Sequence, residues 1–354
     1  MRRVWGFAIL LPVSLALLAA IVGVVGYEET LRQIRRVGAG AFLAVGALTL
    51  LFVCVQSFAW RLLSRSIGHR VPFATMLRAV VVGQAGNMIT PSTYLGGEPL
   101  RVAYVGKLAG LPYHEVAGTV LLSKYLEFLS FMLMFGFSTA VAAIEYKAVL
   151  FRPPNTLGGV AIVAVAALML ACSVLLWASL ARRWRPLTRL VRGLAWFRWL
   201  RRPVARLRHR AKAMEDQVSR TFCEEGPTSL AAFAAMLVSH LAVFSKPLVF
   251  FLFGARMRLS LGDLCLIFAA GQLILAVQLT PSGVGMLDGG LIGVFALLGY
   301  GTAGDVAMVM AYLLCLRLWD AVVIGSGAVL AAKAGARFFT SKPPPLVPDE
   351  PNGS

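Results

Sequence analysis

Charge is sparse in this sequence, at 14% of 354 residues, and negative charge is sparser still, with 16 Asp and Glu against 34 Lys and Arg. A soluble domain of this length carries more surface charge, so a soluble globular fold is excluded. Cysteine is also scarce. Cys54, Cys172, Cys265 and Cys315 lie in apolar runs and Cys223 in a polar one, with no CxxC spacing, which argues against a disulfide framework or a zinc site. His69, His114, His209 and His240 are scattered, and HExxH, a Walker A loop and a dinucleotide fingerprint are missing. Metalloprotease and ATPase readings lack support, and no cofactor is expected.

What fills the chain is apolar surface, at 58% hydrophobic residues and a mean hydropathy of +0.77. That composition predicts an all-α polytopic membrane protein. Runs of spanning length cover residues 4–26, 39–62, 117–143, 156–180, 228–253 and 305–332. The first follows Met1-Arg2-Arg3 and is read as a span rather than a signal peptide, because about 20 apolar residues cross a bilayer and a small-residue cleavage pattern is unconvincing. The net charge of +18 would suggest nucleic acid in a soluble protein. Here the excess sits mostly in loops, where the positive-inside bias and anionic lipid account for it, so no nucleic-acid partner is expected.

Two stretches interrupt the apolar runs and read as versions of one another: Gly83-Gln84 to Thr90-Pro91-Ser92 to Glu98, and Gly271-Gln272 to Thr280-Pro281-Ser282 to Asp288. In each, an acid stands seven residues after the proline. A break at membrane depth frees backbone groups that lipid cannot satisfy, so it must be buried in protein or face a polar cavity. The arm after each break, Leu100 to Gly110 and Gly290 to Gly299, rises only about 15 Å at 1.5 Å per residue, half a hydrocarbon core. Each stretch therefore reads as a re-entrant hairpin, at about 73–110 and 261–300. With six spans this makes eight membrane segments.

Arginine placement sets the topology. The loop of residues 182–226 holds thirteen Lys or Arg between Arg182 and Arg220 against Glu215 and Asp216, and is expected to be cytoplasmic. Its interleaved Trp184, Trp196, Phe197 and Trp199 suit an interfacial element on anionic lipid. Counting spans from it puts both termini on the cytoplasmic face, leaving the loop with Arg32, Arg35 and Arg36 outside, partly offset by Glu28 and Glu29. In this arrangement residues 1–150 form one repeat and 151–340 a second, inverted copy, a recurring plan of transporters with broken helices. Residues 341–354, rich in proline and polar groups, are expected to be a disordered tail.

Ionisable groups within spans cost about 2.5 to 3.5 kcal/mol each at the helix centre, so Glu98, Arg101, Lys124, Glu127, Lys246, Asp288, Arg317 and Asp320 are functional candidates. Three combinations have i, i+3 spacing and can neutralise each other: Glu98 with Arg101, Lys124 with Glu127, and Arg317 with Asp320. Glu98 precedes Pro99 and Asp288 precedes Gly289-Gly290, so each also suits the start of a half-helix, as a cap or beside a bound anion. Glu98, Glu127, Asp288 and Asp320 are assigned to gating and charge pairing. Arg101 and Arg317, which stay protonated and bind phosphate bidentately, are the stronger candidates for ligand contact, with Lys124 beside them. Asn87, Thr90, Ser92, Thr93, Tyr94, Gln278, Thr280 and Ser282 line the breaks, either replacing lost backbone hydrogen bonds or binding headgroup hydroxyls. Pro91, Gly96, Gly97, Pro281, Gly283 and Gly285 make the breaks. Lys246-Pro247 marks a kink, with the lysine snorkelling or paired.

The run Gly86-Asn87 through Thr90-Pro91, Gly96-Gly97-Glu98 and Arg101, with Glu127, Pro281-Ser282-Gly283-Val284-Gly285 and Arg317, resembles the lysylphosphatidylglycerol synthase transmembrane region, also called the flippase-like or UPF0104 family. The resemblance covers about residues 5 to 335. It implies the hairpin fold and translocation of lipids or lipid-linked sugars. Larger members add a soluble aminoacyl-transferase domain that these 354 residues do not include, so synthase activity is not expected. Asp288 departs from the Glu of some relatives, which shortens its reach.

Together these features predict a translocator in a prokaryotic cytoplasmic membrane, not an enzyme, acting on anionic phospholipid or a polyprenyl-phosphate-linked substrate. Two alternatives stand beside it. One is an intramembrane enzyme using Glu98 and Asp288 as acid and base; the other is a scaffold subunit for a glycosyltransferase or other lipid-modifying enzyme.

Overall fold

A computed structural model describes residues 27–90, 96–150, 152–153, 156–182, 222, 225–255, 258–276 and 280–340. The expected first span, most of the basic loop, the tail, and Pro91, Ser92, Thr93, Tyr94 and Gln278 lie outside them. Among the described residues all regular structure is helical. In chain order the helices are α1 (Tyr27–Ser66), α2 (Phe73–Ile89), α3 (Glu98–Leu108), α4 (Tyr113–Glu145), α5 (Thr156–Ala181), α6 (Gly226–Phe250), α7 (Leu261–Ala276), α8 (Met286–Leu297) and α9 (Ala303–Thr340), with a single turn at Lys147–Leu150. α1, α4, α5, α6 and α9 are long and apolar enough to cross a bilayer. The protein is a polytopic membrane protein.

Local chemistry explains the element ends. α7 and α9 each open with a reciprocal cap: Ser260 N donates to Asp263 Oδ2 at 2.7 Å while Asp263 N donates to Ser260 Oγ at 3.0 Å, and Thr302 and Asp305 repeat the pattern at 3.3 and 3.2 Å. α3 and α8 both stop at a glycine in the left-handed region, Gly110 at φ 66° and Gly299 at φ 93°. Past each glycine the next N–H reaches back five residues, Leu111 to Gly106 O and Tyr300 to Phe295 O, both at 2.9 Å. The expected limits of the two interrupted stretches, 73–110 and 261–300, coincide with these helices and their caps.

The segment with Arg32, Arg35 and Arg36, expected as a loop, is helix. Glu28 and Glu29 sit in its first turn, and Glu29 accepts from Arg32 Nη1 at 2.6 Å and Gln33 Nε2 at 2.7 Å, the i+3 and i+4 neighbours that favour helix. Gly38, at φ 73°, then redirects the chain, and the span read from residue 39 begins there. At Lys246-Pro247, where a kink was expected, the proline lies inside α6, which gives way four residues later to a π turn over Phe251–Ala255.

Packing is reciprocal between the halves. α1 lies against α6; α2 of the first half packs on α9 of the second, and α7 of the second on α4 of the first. Within each half the two short helices meet, α2 with α3 and α7 with α8, and the second then packs on the long helix that follows it. Close approach is built from glycine. A β-carbon on Gly46 of α1 would fall 1.9 Å from the Trp319 ring of α9, whose Nε1 donates to Phe42 O at 3.0 Å and whose ring stacks on Phe42 at 5.4 Å. The largest buried cluster surrounds the α6 end, where Phe250, Phe251, Phe295 and Tyr312 pack at centroid distances of 5.2 to 5.5 Å.

Candidate functional site

Two ion clusters flank the breaks, and they share one plan. In each, a base on a long helix lies between the acid that begins the preceding short helix and the acid one turn along its own helix. Lys124 Nζ lies 3.0 Å from Glu98 Oε1 and 2.9 Å from Glu127 Oε2. Arg317 Nη2 lies 3.0 Å from Asp288 Oδ1, and Arg317 Nη1 lies 3.3 Å from Asp320 Oδ2. The i, i+3 pairings expected from spacing are present, and each base also holds an acid far away in sequence.

The first cluster is closed. Glu127 Oε1 accepts from Gln56 Nε2 at 2.9 Å, and Gln56 Oε1 accepts from Gln84 Nε2 at 3.0 Å. Asn87 clasps the start of α3, donating to Glu98 Oε1 at 3.2 Å and accepting from Gly97 N at 2.6 Å. Glu98 therefore makes no capping bond. Asn87, reaching over from α2, fills that role. Arg101 is 2% exposed; its Nε lies 3.5 Å from Glu98 Oε2, and among the described residues its Nη2 has no hydrogen-bond partner. It packs against Gly83, where a β-carbon would lie 2.3 Å from Nε. Gly97 approaches more closely still, since its β-carbon would fall 1.8 Å from Gly83 O, so α2 and α3 meet backbone to backbone. Gly96 precedes it in the bend.

The second cluster is built into an irregular break. Ser282 at φ 51°, Gly283 at 63° and Gly285 at 84° turn the chain between α7 and α8. Ser282 is the non-glycine member, and backbone strain there is typical of functional loops. Thr280 Oγ1 donates to Val284 O at 2.9 Å, replacing part of the lost backbone bonding after Pro281. Asp288 is 0% exposed and caps α8 by accepting from Gly285 N at 2.7 Å. Arg317 answers it with a fork, Nε to Oδ1 at 3.1 Å and Nη2 to Oδ2 at 3.0 Å, and donates to Ser282 O at 2.7 Å. The second break touches the end of α2: Ser282 Oγ donates to Met88 O at 3.3 Å. Thr90, beside Met88, donates from its hydroxyl to Gly86 O at 2.8 Å.

Between the clusters lies a cavity of about 260 Å³, lined from both halves. Gln84, Asn87 and Met88 of α2, Gly271 and Gln272 of α7, and Ser282 of the second break line it, with Lys246 of α6 and Arg317 and Asp320 of α9. Phe52, Val243, Phe244, Leu275 and Leu287 make the rest of the wall apolar. Arg101, Lys124, Glu98, Glu127, Asp288 and Thr280 stand outside this lining. Ser92, Tyr94 and Pro91 lie outside the described residues. Sequence reasoning passed over Gln56 and did not single out Gln84 or Gln272; a glutamine inside an apolar span is the signal that could have marked them. Among the described residues no group of three or more His, Cys, Asp and Glu side chains could hold a metal ion.

An all-helical membrane protein with two broken-helix elements around a mixed polar cavity defines an integral membrane class that works within the bilayer. The chain belongs to the family described as the lysylphosphatidylglycerol synthase TM region, whose profile matches residues 4–325. It is similar to a UPF0104 membrane protein of Methanothermobacter thermautotrophicus, 23% identical over 327 residues, covering 91% of this chain and 94% of the relative. A UPF0104 membrane protein of Methanocaldococcus jannaschii is 26% identical over 119 residues, 34% of this chain and 35% of the relative. No solved structure matches the chain.

Proposed function

We propose that this protein moves phosphate-bearing lipids between bilayer leaflets without altering them. The cavity carries the reading. It draws polar side chains from both halves, and two cations, Lys246 and Arg317, from the second, into a space of about 260 Å³, just below the roughly 300 to 1,000 Å³ of ligand pockets, which suits a headgroup better than a whole lipid. The headgroup enters while the acyl or isoprenoid tails stay in the membrane. Arg317 contacts the phosphate, and Asp320 and Asp288 hold that arginine in place when the cavity is empty. The family description names a phospholipid product, which favours phospholipid as the substrate class.

The two broken-helix elements are read as re-entrant hairpins entering from opposite faces, with both termini cytoplasmic in the cell membrane and the second half inverted. Reciprocal packing and the two matched clusters support this. Glu98 and Asp288, the candidate acid and base of an intramembrane enzyme, are committed to separate clusters, which favours movement over chemistry.

Reconstitution tests the function. Vesicles holding purified protein are expected to expose fluorescent phosphatidylglycerol to an external quencher faster than protein-free vesicles. No acceleration for anionic phospholipid or polyprenyl phosphate overturns the reading. The topology is tested separately by cysteine labelling in a cysteine-free background. Arg70→Cys and Ala109→Cys are expected to label from the cytoplasm and Gly301→Cys from outside; labelling of the first two from opposite faces rules out a re-entrant first hairpin.

A further inference from the structure

The eight intramembrane candidates divide into two bases and two acids per half, but the second base comes from different places. In the first half it is Arg101 on α3, 2% exposed and packed against Gly83. Counting from the acids, the matching position in α8 is Leu291, against Gly271. In the second half the extra base is Lys246, on the helix matched to α1. In the first half the long helix α1 instead turns a neutral residue to its acid: Gln56 donates to Glu127 at 2.9 Å. Lys246 acts electrostatically on the corresponding acid, Asp320, yet makes no contact with it.

That difference leaves one cation uncommitted in the cavity wall. Among the described residues Lys246 has no hydrogen bond and no ion pair within 4.0 Å, whereas Arg317 is held by Asp288, Asp320 and Ser282 O. Asp320, the one carboxylate among the described lining residues, is paired with Arg317 Nη1 at 3.3 Å. The neutral donors offer less: Asn87 is clasped around Gly97 and Glu98, and Gln84 donates to Gln56. The wall also carries apolar residues of the same helix, Val243 one turn before Lys246 and Phe244 two residues before it. An ammonium in such a place recovers its lost hydration only from an anion or water that enters the cavity.

We propose that Lys246 is the primary anion-binding residue of the cavity and that it selects amphiphiles whose headgroup carries a net negative phosphate over zwitterionic ones. Arg317, already forked onto Asp288, acts as the second and weaker contact. This selectivity deepens the translocator reading and relies on it for the lipid source, but binding can be measured without transport.

The test titrates the detergent-purified full chain with dioctanoyl phosphatidylglycerol, dioctanoyl phosphatidylcholine and inorganic phosphate, following binding by native mass spectrometry and ligand-induced thermal shift. Lys246→Gln places at 246 what position 56 already carries. It is expected to weaken phosphatidylglycerol binding about tenfold, the loss of one charge-assisted contact, and to leave phosphatidylcholine unchanged. Lys246→Arg is expected to bind phosphatidylglycerol within about threefold of the wild type, because the charge is retained. It keeps the question answerable if the glutamine variant does not fold. Wild-type affinity for phosphatidylglycerol in Lys246→Gln, or an equal loss for both lipids, overturns the proposal. Binding of inorganic phosphate as tight as that of phosphatidylglycerol overturns its lipid form. Protein that binds phosphatidylglycerol through Lys246 but moves no lipid in vesicles keeps this assignment and overturns the translocator reading. Lipid movement unaffected by Lys246→Gln overturns this assignment alone.

Discussion

The two broken-helix elements follow one plan and differ in how tightly they close. In the first, Gly83 and Gly97 bring α2 and α3 into backbone contact, and Arg101 fills the remaining space. In the second, leucines stand at the matching positions, and a β-carbon on Gly271 would meet Leu291 at 3.6 Å and Leu287 at 3.8 Å, ordinary contact distances. The first element is a wall. The second, spaced by leucine side chains, leaves the side of the cavity where Gln272, Ser282 and Arg317 are reached. Equivalent charges therefore serve different ends: the Lys124 cluster is sealed by Gln56, Gln84 and Asn87, while the Arg317 cluster borders open space.

The sharpest way to break this comparison is to remove each central base. Arg317→Ala strands Asp288, 0% exposed, and is expected to destabilise the protein by about 3 to 5 kcal/mol, with Asp288→Asn in the same chain recovering part of the loss. Lys124→Ala is expected to be milder, about 2 kcal/mol, because Glu98 keeps Asn87 and Glu127 keeps Gln56. Thermal midpoints from tryptophan fluorescence order the two, and a larger loss at Lys124 would contradict the assignment of closed and open clusters. Glycine substitution probes the packing directly. Gly97→Ala is expected to cost about 1 to 3 kcal/mol by overpacking against Gly83 O. Gly271→Ala, with room for the methyl group, is expected to be neutral or to stabilise by up to about 1 kcal/mol through the helix-forming gain. Equal effects at the two glycines would dissolve the distinction.

A hydrogen bond outside the cavity also ties the halves. Tyr146, just beyond α4, donates its hydroxyl to Asp263 Oδ1 at the start of α7. Burial, and next this hydrogen bond, push the Tyr146 hydroxyl up to about 12. The raised value means the folded state holds the proton more tightly. The contribution to stability is full below the unfolded value of about 10 and is lost as pH rises through about 12. Tyr146→Phe is expected to cost about 1 kcal/mol at neutral pH, the worth of one hydrogen bond, and the difference from wild type should vanish toward pH 12. Midpoints measured from neutral to alkaline pH check both the size and the sign.

How much of this was legible in the sequence follows the range of each interaction. The limits of the broken elements were readable because proline, glycine and short apolar runs act locally. So were the i, i+3 charge pairs, which need only the helical repeat. That Asp288 would pair with an arginine was readable too, but not that Arg317, 29 residues away, takes it rather than Arg101, nor that Gln56 binds Glu127, 71 residues away, because packing between elements decides both. Arg101 shows the same limit. Its position in the pattern suggested a ligand contact, and the structure seats it behind α2, away from the cavity lining. Lys246 was readable as an intramembrane charge beside Pro247, and so as a functional candidate; that it shares a cavity wall with Arg317, Asp320 and Gln272 was not, because α9 and α7 supply those walls. The helix at Tyr27–Val37 was missed because its arginines were weighed as topology signals rather than as partners for Glu29.

The paired stops at Gly110 and Gly299 reach beyond capping. With a left-handed glycine and the same five-residue back-bond at both, the lengths of α3 and α8, 11 and 12 residues, are written into the chain. They act as a ruler that the membrane cannot reset. A bilayer that thickens or thins by a few ångströms is met by tilt of the long apolar helices, the 33-residue α4 and the 38-residue α9 among them, while the lengths of α3 and α8 stay the same.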